Sequence, residues 1–151
     1  MSSSSKSSSA PDIFTPCHDP AALRAWLEGF LKLKFPEKGV CPGHVSPFEY
    51  LCKSYFEPAK DLVVWAPRGG GKTRLGAAAT LLDLLHKPGI SVRILGGSLE
   101  QSLRMWEYFL PDLVAWATSH LDGKINARRI RLDSGSSAGI IPQSQRAVRG
   151  L

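Results

Sequence analysis

The stretch that most limits what this chain can fold into is "WAPRGGGKTRLG", residues 65–76. Three consecutive glycines open backbone conformations that other residues avoid, and they run straight into a lysine and a threonine. Before them stands "DLVVWAP" (61–67), a short apolar, β-branched run bounded by turn residues, which predicts a buried strand. After them, "KTRLGAAATLLDLLH" (72–86) is apolar almost all round and predicts a helix covered on most sides. In a strand–turn–helix of this kind, backbone N–H groups turn inward and the positive end of the helix faces the same space. Such a turn suits an anion, and above all a phosphate.

The phosphate-loop pattern G-x-x-x-x-G-K-[ST] closes as this segment does, on Gly71, Lys72 and Thr73. Ala66 stands where the first glycine belongs, which is harmless if the backbone there is ordinary. On this reading Pro67, Arg68, Gly69, Gly70 and Gly71 wrap the phosphates of ATP. Lys72 reaches the β- and γ-phosphates, and Thr73 offers its hydroxyl to Mg²⁺. Arg68 has two readings, a phosphate contact and a solvated loop charge. A glycine-rich turn that binds nothing is the plain alternative for the whole loop.

The surrounding sequence predicts an α/β domain with a mostly parallel sheet. In "DPAALRAWLEGFLKLKF" (19–35), Asp19 is a helix cap, Pro20 fits the first helical position, and Leu23, Trp26, Leu27 and Phe30 share a face. "SPFEYLCKSYFE" (46–57) predicts a second helix, with Ser46 and Glu49 at capping-box spacing. "ISVRILGG" (90–97) reads as a strand and "SLEQSLRMWEYFL" (98–110) as an amphipathic helix that Pro111 kinks or restarts. "NARRIRL" and "SSAGIIP" read as two strands around the turn "DSGS" (133–136). Trp26, Trp65, Trp106 and Trp116 all fall on apolar faces or in a strand and are expected in the core.

With 43% hydrophobic residues, 151 residues make about one domain with a real core. The net charge of +6 suits a polyanionic partner, and a basic excess of this modest size is as often only a solubility feature. Three cysteines fit a reducing compartment without a disulfide framework. No apolar stretch approaches a membrane span, and "MSSSSKSSSA" lacks the apolar core of a secretory signal. Residues 1–12 therefore read as a disordered serine-rich tail, 13–57 as a helical lead-in, and 58–151 as the nucleotide-binding core.

Taken in order, "SPFEYL", "APRGGGKT", "ILGGSLEQSLRMWEYF" and "SQRAVRGL" resemble the ATPase domain of the large terminase subunit, the DNA-packaging motor of tailed bacteriophages. The resemblance spans residues 46–151. It implies an ASCE, RecA-like P-loop NTPase fold, with Lys72 and Thr73 as the Walker A lysine and the magnesium-binding threonine. It implies that Arg68 senses the γ-phosphate and that Arg149, in "AVRG", acts as a finger on a neighbouring subunit of a homo-oligomeric ring. The adenine-side segment would hold Pro47 and Phe48, with Glu49 where the family carries glutamine. A carboxylate accepts from the adenine amino group but cannot donate to a ring nitrogen, and closing the capping box is the simpler role for Glu49. By the same resemblance the partners are double-stranded DNA, a portal and a small terminase subunit, and the setting is the bacterial host cytoplasm at the procapsid.

One family feature is absent. Relatives carry a Walker B strand, four apolar residues then Asp and Glu, roughly ten residues after "AVRG". Here Asp83 lies too close to Lys72 and Asp133 follows the polar "RIRL", so the sequence reads as a truncated reading frame, without the nuclease domain of relatives and without ATP turnover. Cys17, His18, Cys41 and His44 have the chemistry of a zinc site, against a reading as loop and core residues. Arg128, Arg129, Arg131, Arg146 and Arg149 form either a phosphate-binding surface or an exposed hairpin face with a subunit-contact arginine. Three other functions compete: a helicase-like P-loop ATPase, a small nucleotide-binding protein such as a kinase, and a non-catalytic remnant.

Overall fold

The computed structural model describes residues 12–57, 61–123, 125–126 and 128–141. Residues 1–11 of the expected tail (1–12) and the arginines Arg146 and Arg149 lie outside them. Four helices, α1 (Pro20–Phe30), α2 (Pro47–Phe56), α3 (Lys72–His86) and α4 (Leu99–Ala117), accompany three strands, β1 (Ser91–Ile94), β2 (Arg129–Arg131) and β3 (Ser137–Ile140). It is a small α/β arrangement.

Local chemistry sets the helix starts. Asp19 accepts from the Ala22 N–H at 2.7 Å, with Pro20 in the first turn. Ser46 caps α2 by accepting from Glu49 N–H at 3.1 Å. The Glu49 carboxylate pairs chiefly along the helix with Lys53 at 2.9 Å, with the Ser46 N–H as a lesser partner. At α4, Ser98 accepts from Gln101 N–H while the Gln101 side chain accepts from Gly97 N–H at 3.0 Å. The "GGSLEQ" stretch is thus a helix cap. Gly96 belongs to the same cap: a Cβ there would lie 2.8 Å from Ser102 Oγ. Pro111 neither ends nor restarts α4, which runs through it to Ala117. The ring sits on an exposed side, where water can serve the backbone group left without its partner.

Helix α3 lies at the centre of the packing, against α2, α4 and the sheet. Leu75, Ala77, Ala78, Leu81, Leu82, Leu84 and Leu85 are all buried, so it is covered on most sides as its composition predicts. The sheet order is β1-β3-β2. β1 pairs in parallel with β3, Ser91 opposite Ser137 and Ile94 opposite Ile140. β2 pairs antiparallel with β3, Arg129 opposite Gly139 and Arg131 opposite Ser137. The sheet is mixed, where a mostly parallel one was expected. The short turn 133–136 returns the chain at once, and a return that short can only join antiparallel strands. Ile94, Ile130, Ala138 and Ile140 face the helices and enter the core.

The strand expected at 61–67 does not form. The segment has no ladder partner among the described residues, Val63 is 87% exposed and Trp65 94%. A β-branched apolar run becomes a strand only beside another strand. Trp26 and Trp106 are buried as expected, while Trp116 is half exposed and packs its ring edge on Phe30.

Candidate phosphate-binding loop

Residues 67–71 form a tight turn in which Gly70 N–H donates to Pro67 O at 3.1 Å. Gly69 and Gly71 have φ of 80° and 75°, the left-handed region, and a Cβ at Gly70 would lie 3.0 Å from Pro67 O. The three glycines are therefore what this turn requires. Gly71 caps α3 without any side-chain hydrogen bond, and the first intrahelical bond is Leu75 N–H to Gly71 O. The earlier N–H groups of α3 have no helical partner. The Lys72 ammonium donates to Ala66 O at 2.6 Å and Pro67 O at 2.8 Å. Lys72 thus folds back across its own turn. Arg68 and Thr73 are exposed in the same short stretch.

These features converge chemically. A left-handed turn, helix N–H groups without helical partners and a nearby cation put positive charge at the exposed start of α3, an arrangement that suits an anion. The structure brings together Pro67, Arg68, Gly69, Gly70, Gly71, Lys72 and Thr73. Phe48 sits elsewhere in role: it is buried on α2, with the Arg24 guanidinium 5.1 Å from its ring centre. Its ring face is occupied by packing.

The zinc alternative finds no geometry, since no group of three or more possible ligands gathers among the described residues. Cys41 is exposed and His18 lies 3.2 Å from Asp19.

A second constellation escaped sequence reasoning. Ile13 O accepts from Trp26 Nε1 and from His86 Nε2, each at 3.0 Å. A carbonyl can only accept, so the His86 hydrogen sits on Nε2. His86 Nδ1 then accepts the Tyr55 O–H at 2.7 Å, and the Tyr55 oxygen accepts the Cys17 N–H at 3.0 Å. The chain of donors clasps residues 13–17 against α1, α2 and α3. Burial of His86 lowers its pKa from the ordinary value, with the Ile13 carbonyl and Asp83 opposing. Burial raises Tyr55, and raises the Cys17 thiol to about 11 with help from Asp19. Nothing in the local sequence signals these bonds, which join residues up to 73 positions apart.

Comparison with family models, curated proteins and solved structures finds no match for this chain. No helix among the described residues is long and apolar enough to cross a membrane.

Proposed function

We propose that the loop 67–73 holds the phosphates of ATP with Mg²⁺, and that the chain is the ATP-binding part of a terminase-type motor that drives double-stranded DNA into a procapsid. The observation that carries the first half is the Lys72 ammonium folded back onto the loop carbonyls at the uncapped start of α3. In this position the two loop carbonyls stand in for phosphate oxygens. Arriving phosphate exchanges for them, converting neutral acceptors into charged ones and strengthening each bond. The ordered series of motifs from "SPFEYL" to "SQRAVRGL" supports the second half. On that resemblance Thr73 meets Mg²⁺, Arg68 the γ-phosphate, and Arg149 a neighbouring subunit.

Binding without turnover is the expected behaviour of these 151 residues. The sequence contains no Asp-Glu pair anywhere, so nothing supplies the second magnesium-side carboxylate and the water-orienting glutamate together. Titration calorimetry with ATP–Mg²⁺ tests the loop. Wild type should bind and Lys72→Ala should lose roughly tenfold to a hundredfold in affinity, the size of a charged hydrogen-bond set. Equal affinities would remove the loop assignment.

A further inference from the structure

The strand register gathers arginines that are far apart in sequence. On one rung Arg93 stands opposite Gly139, and Arg129 stands opposite the same glycine from the other side. On the rung two residues away, Ser91, Ser137 and Arg131 align in the same order. Residues paired across a rung share a face, and so do residues two apart. The Ser91 and Ser137 hydroxyls, 3.3 Å apart, sit together on it. The face away from the helices thus carries Arg93, Arg129 and Arg131, all exposed, around a central strand of serine and glycine. Arg93 and Arg129 flank that strand at two strand spacings, about 9–10 Å. Neither has an ion-pair partner among the described residues, whereas Arg131 meets Asp122 at 3.2 Å.

We propose that this face of the sheet is a docking surface for the phosphate backbone of duplex DNA. Charge complementarity argues for a polyanion. Every cation on the two rungs is arginine, whose planar fork grips phosphate oxygens in pairs. Gly139 is buried in the central strand and puts no side chain between the two exposed forks, so both can reach the same phosphate ridge. No aromatic side chain lies on the rungs, so unpaired bases have nothing to stack on. That selects a duplex, read through its backbone, over a single strand. The surface stands on strand register and is independent of the glycine loop, and it agrees with the proposed function in its partner.

Fluorescence anisotropy of a labelled mixed-sequence DNA duplex with the full chain tests this, across about 50 to 200 mM salt. Wild type should bind with affinity falling as salt rises. Arg93→Gln with Arg129→Gln should weaken binding roughly tenfold or more and flatten the salt slope by about 2, near 0.9 for each phosphate no longer neutralised. Arg93→Lys with Arg129→Lys keeps both charges and should retain most of the binding and the slope. Thermal melts of the paired variants should match wild type, since both arginines are exposed. The proposal is overturned if the glutamine pair binds duplex as wild type does, if wild type binds none at the low salt, or if a single strand of the same sequence binds more tightly. Equal competition by polyglutamate would overturn the choice of nucleic acid.

Discussion

The glycine loop and the clasp around His86 both depend on a basic side chain near one end of α3, yet they are built oppositely. At the N-terminal end, Lys72 bonds only carbonyls of its own turn, all within six residues, and the site is exposed. At the C-terminal end, His86 is buried and bonds Ile13 and Tyr55, 73 and 31 residues away. The first is a local, open arrangement whose acceptors can be exchanged for a ligand's. The second is closed by the chain itself and leaves nothing to exchange. On the proposed reading, one end of this helix serves binding, while the other serves stability.

Removing His86 should have the largest effect on the fold. His86→Ala deletes one buried and one part-buried hydrogen bond and the ring edge on Trp26, 5.1 Å away, and leaves the Tyr55 hydroxyl without its acceptor. We expect a loss of about 2–4 kcal/mol in denaturant unfolding, with ATP affinity nearly unchanged. Lys72→Ala should invert that pattern: nucleotide affinity falls roughly tenfold to a hundredfold while stability stays within about 0.5 kcal/mol. If both variants lost stability alike, the distinction between the two ends would fail.

Acid should act on the clasp. His86 binds its proton less readily folded than unfolded, because burial lowers its pKa. The unfolded chain therefore takes up more protons between the two values, and stability rises with pH across them. The contribution is complete above the ordinary histidine value of about 6.5 and is lost as pH falls through the depressed folded value. Protonation gives Nδ1 a hydrogen that faces the Tyr55 hydroxyl, and the relay must then reorganise. Denaturant midpoints taken between about pH 7.5 and 5 should fall in wild type, and this dependence should shrink in His86→Ala.

Trp65→Ser carries the smallest expected effect. The ring is 94% exposed, so stability should change by less than about 0.5 kcal/mol. A loss of several kcal/mol would mean that 61–67 is a buried strand after all.

What sequence reading could and could not reach follows from range. The caps at Asp19, Ser46 and Ser98, the buried length of α3 and the turn 133–136 depend on residues close along the chain, and each is legible there. The glycines of the loop are legible for the same reason. The segment 61–67 misleads because "LVVW" has the composition of a strand, while its pairing depends on residues elsewhere. The expectation of a buried Trp65 fails with it. The mixed sheet, the Arg93–Gly139–Arg129 rung and the clasp all bring together residues more than thirty positions apart. The alternation in "SVRIL" and "RRIRL" marks two faces of a strand but not which strands meet.

Amide hydrogen exchange with and without ATP–Mg²⁺ tests the central claim most directly, since it reads both ends of α3 in one experiment. The amides of Trp26, Tyr55 and Leu82, in the helices of the clasp, should exchange slowly with and without nucleotide. The amides of residues 68–74 should exchange quickly in the free protein and become protected at saturating nucleotide, as N–H groups of the turn and of the first turn of α3 find phosphate oxygens. Unchanged exchange at 68–74 under saturating ATP–Mg²⁺ would contradict the account, because the loop would then be a glycine turn that holds no phosphate.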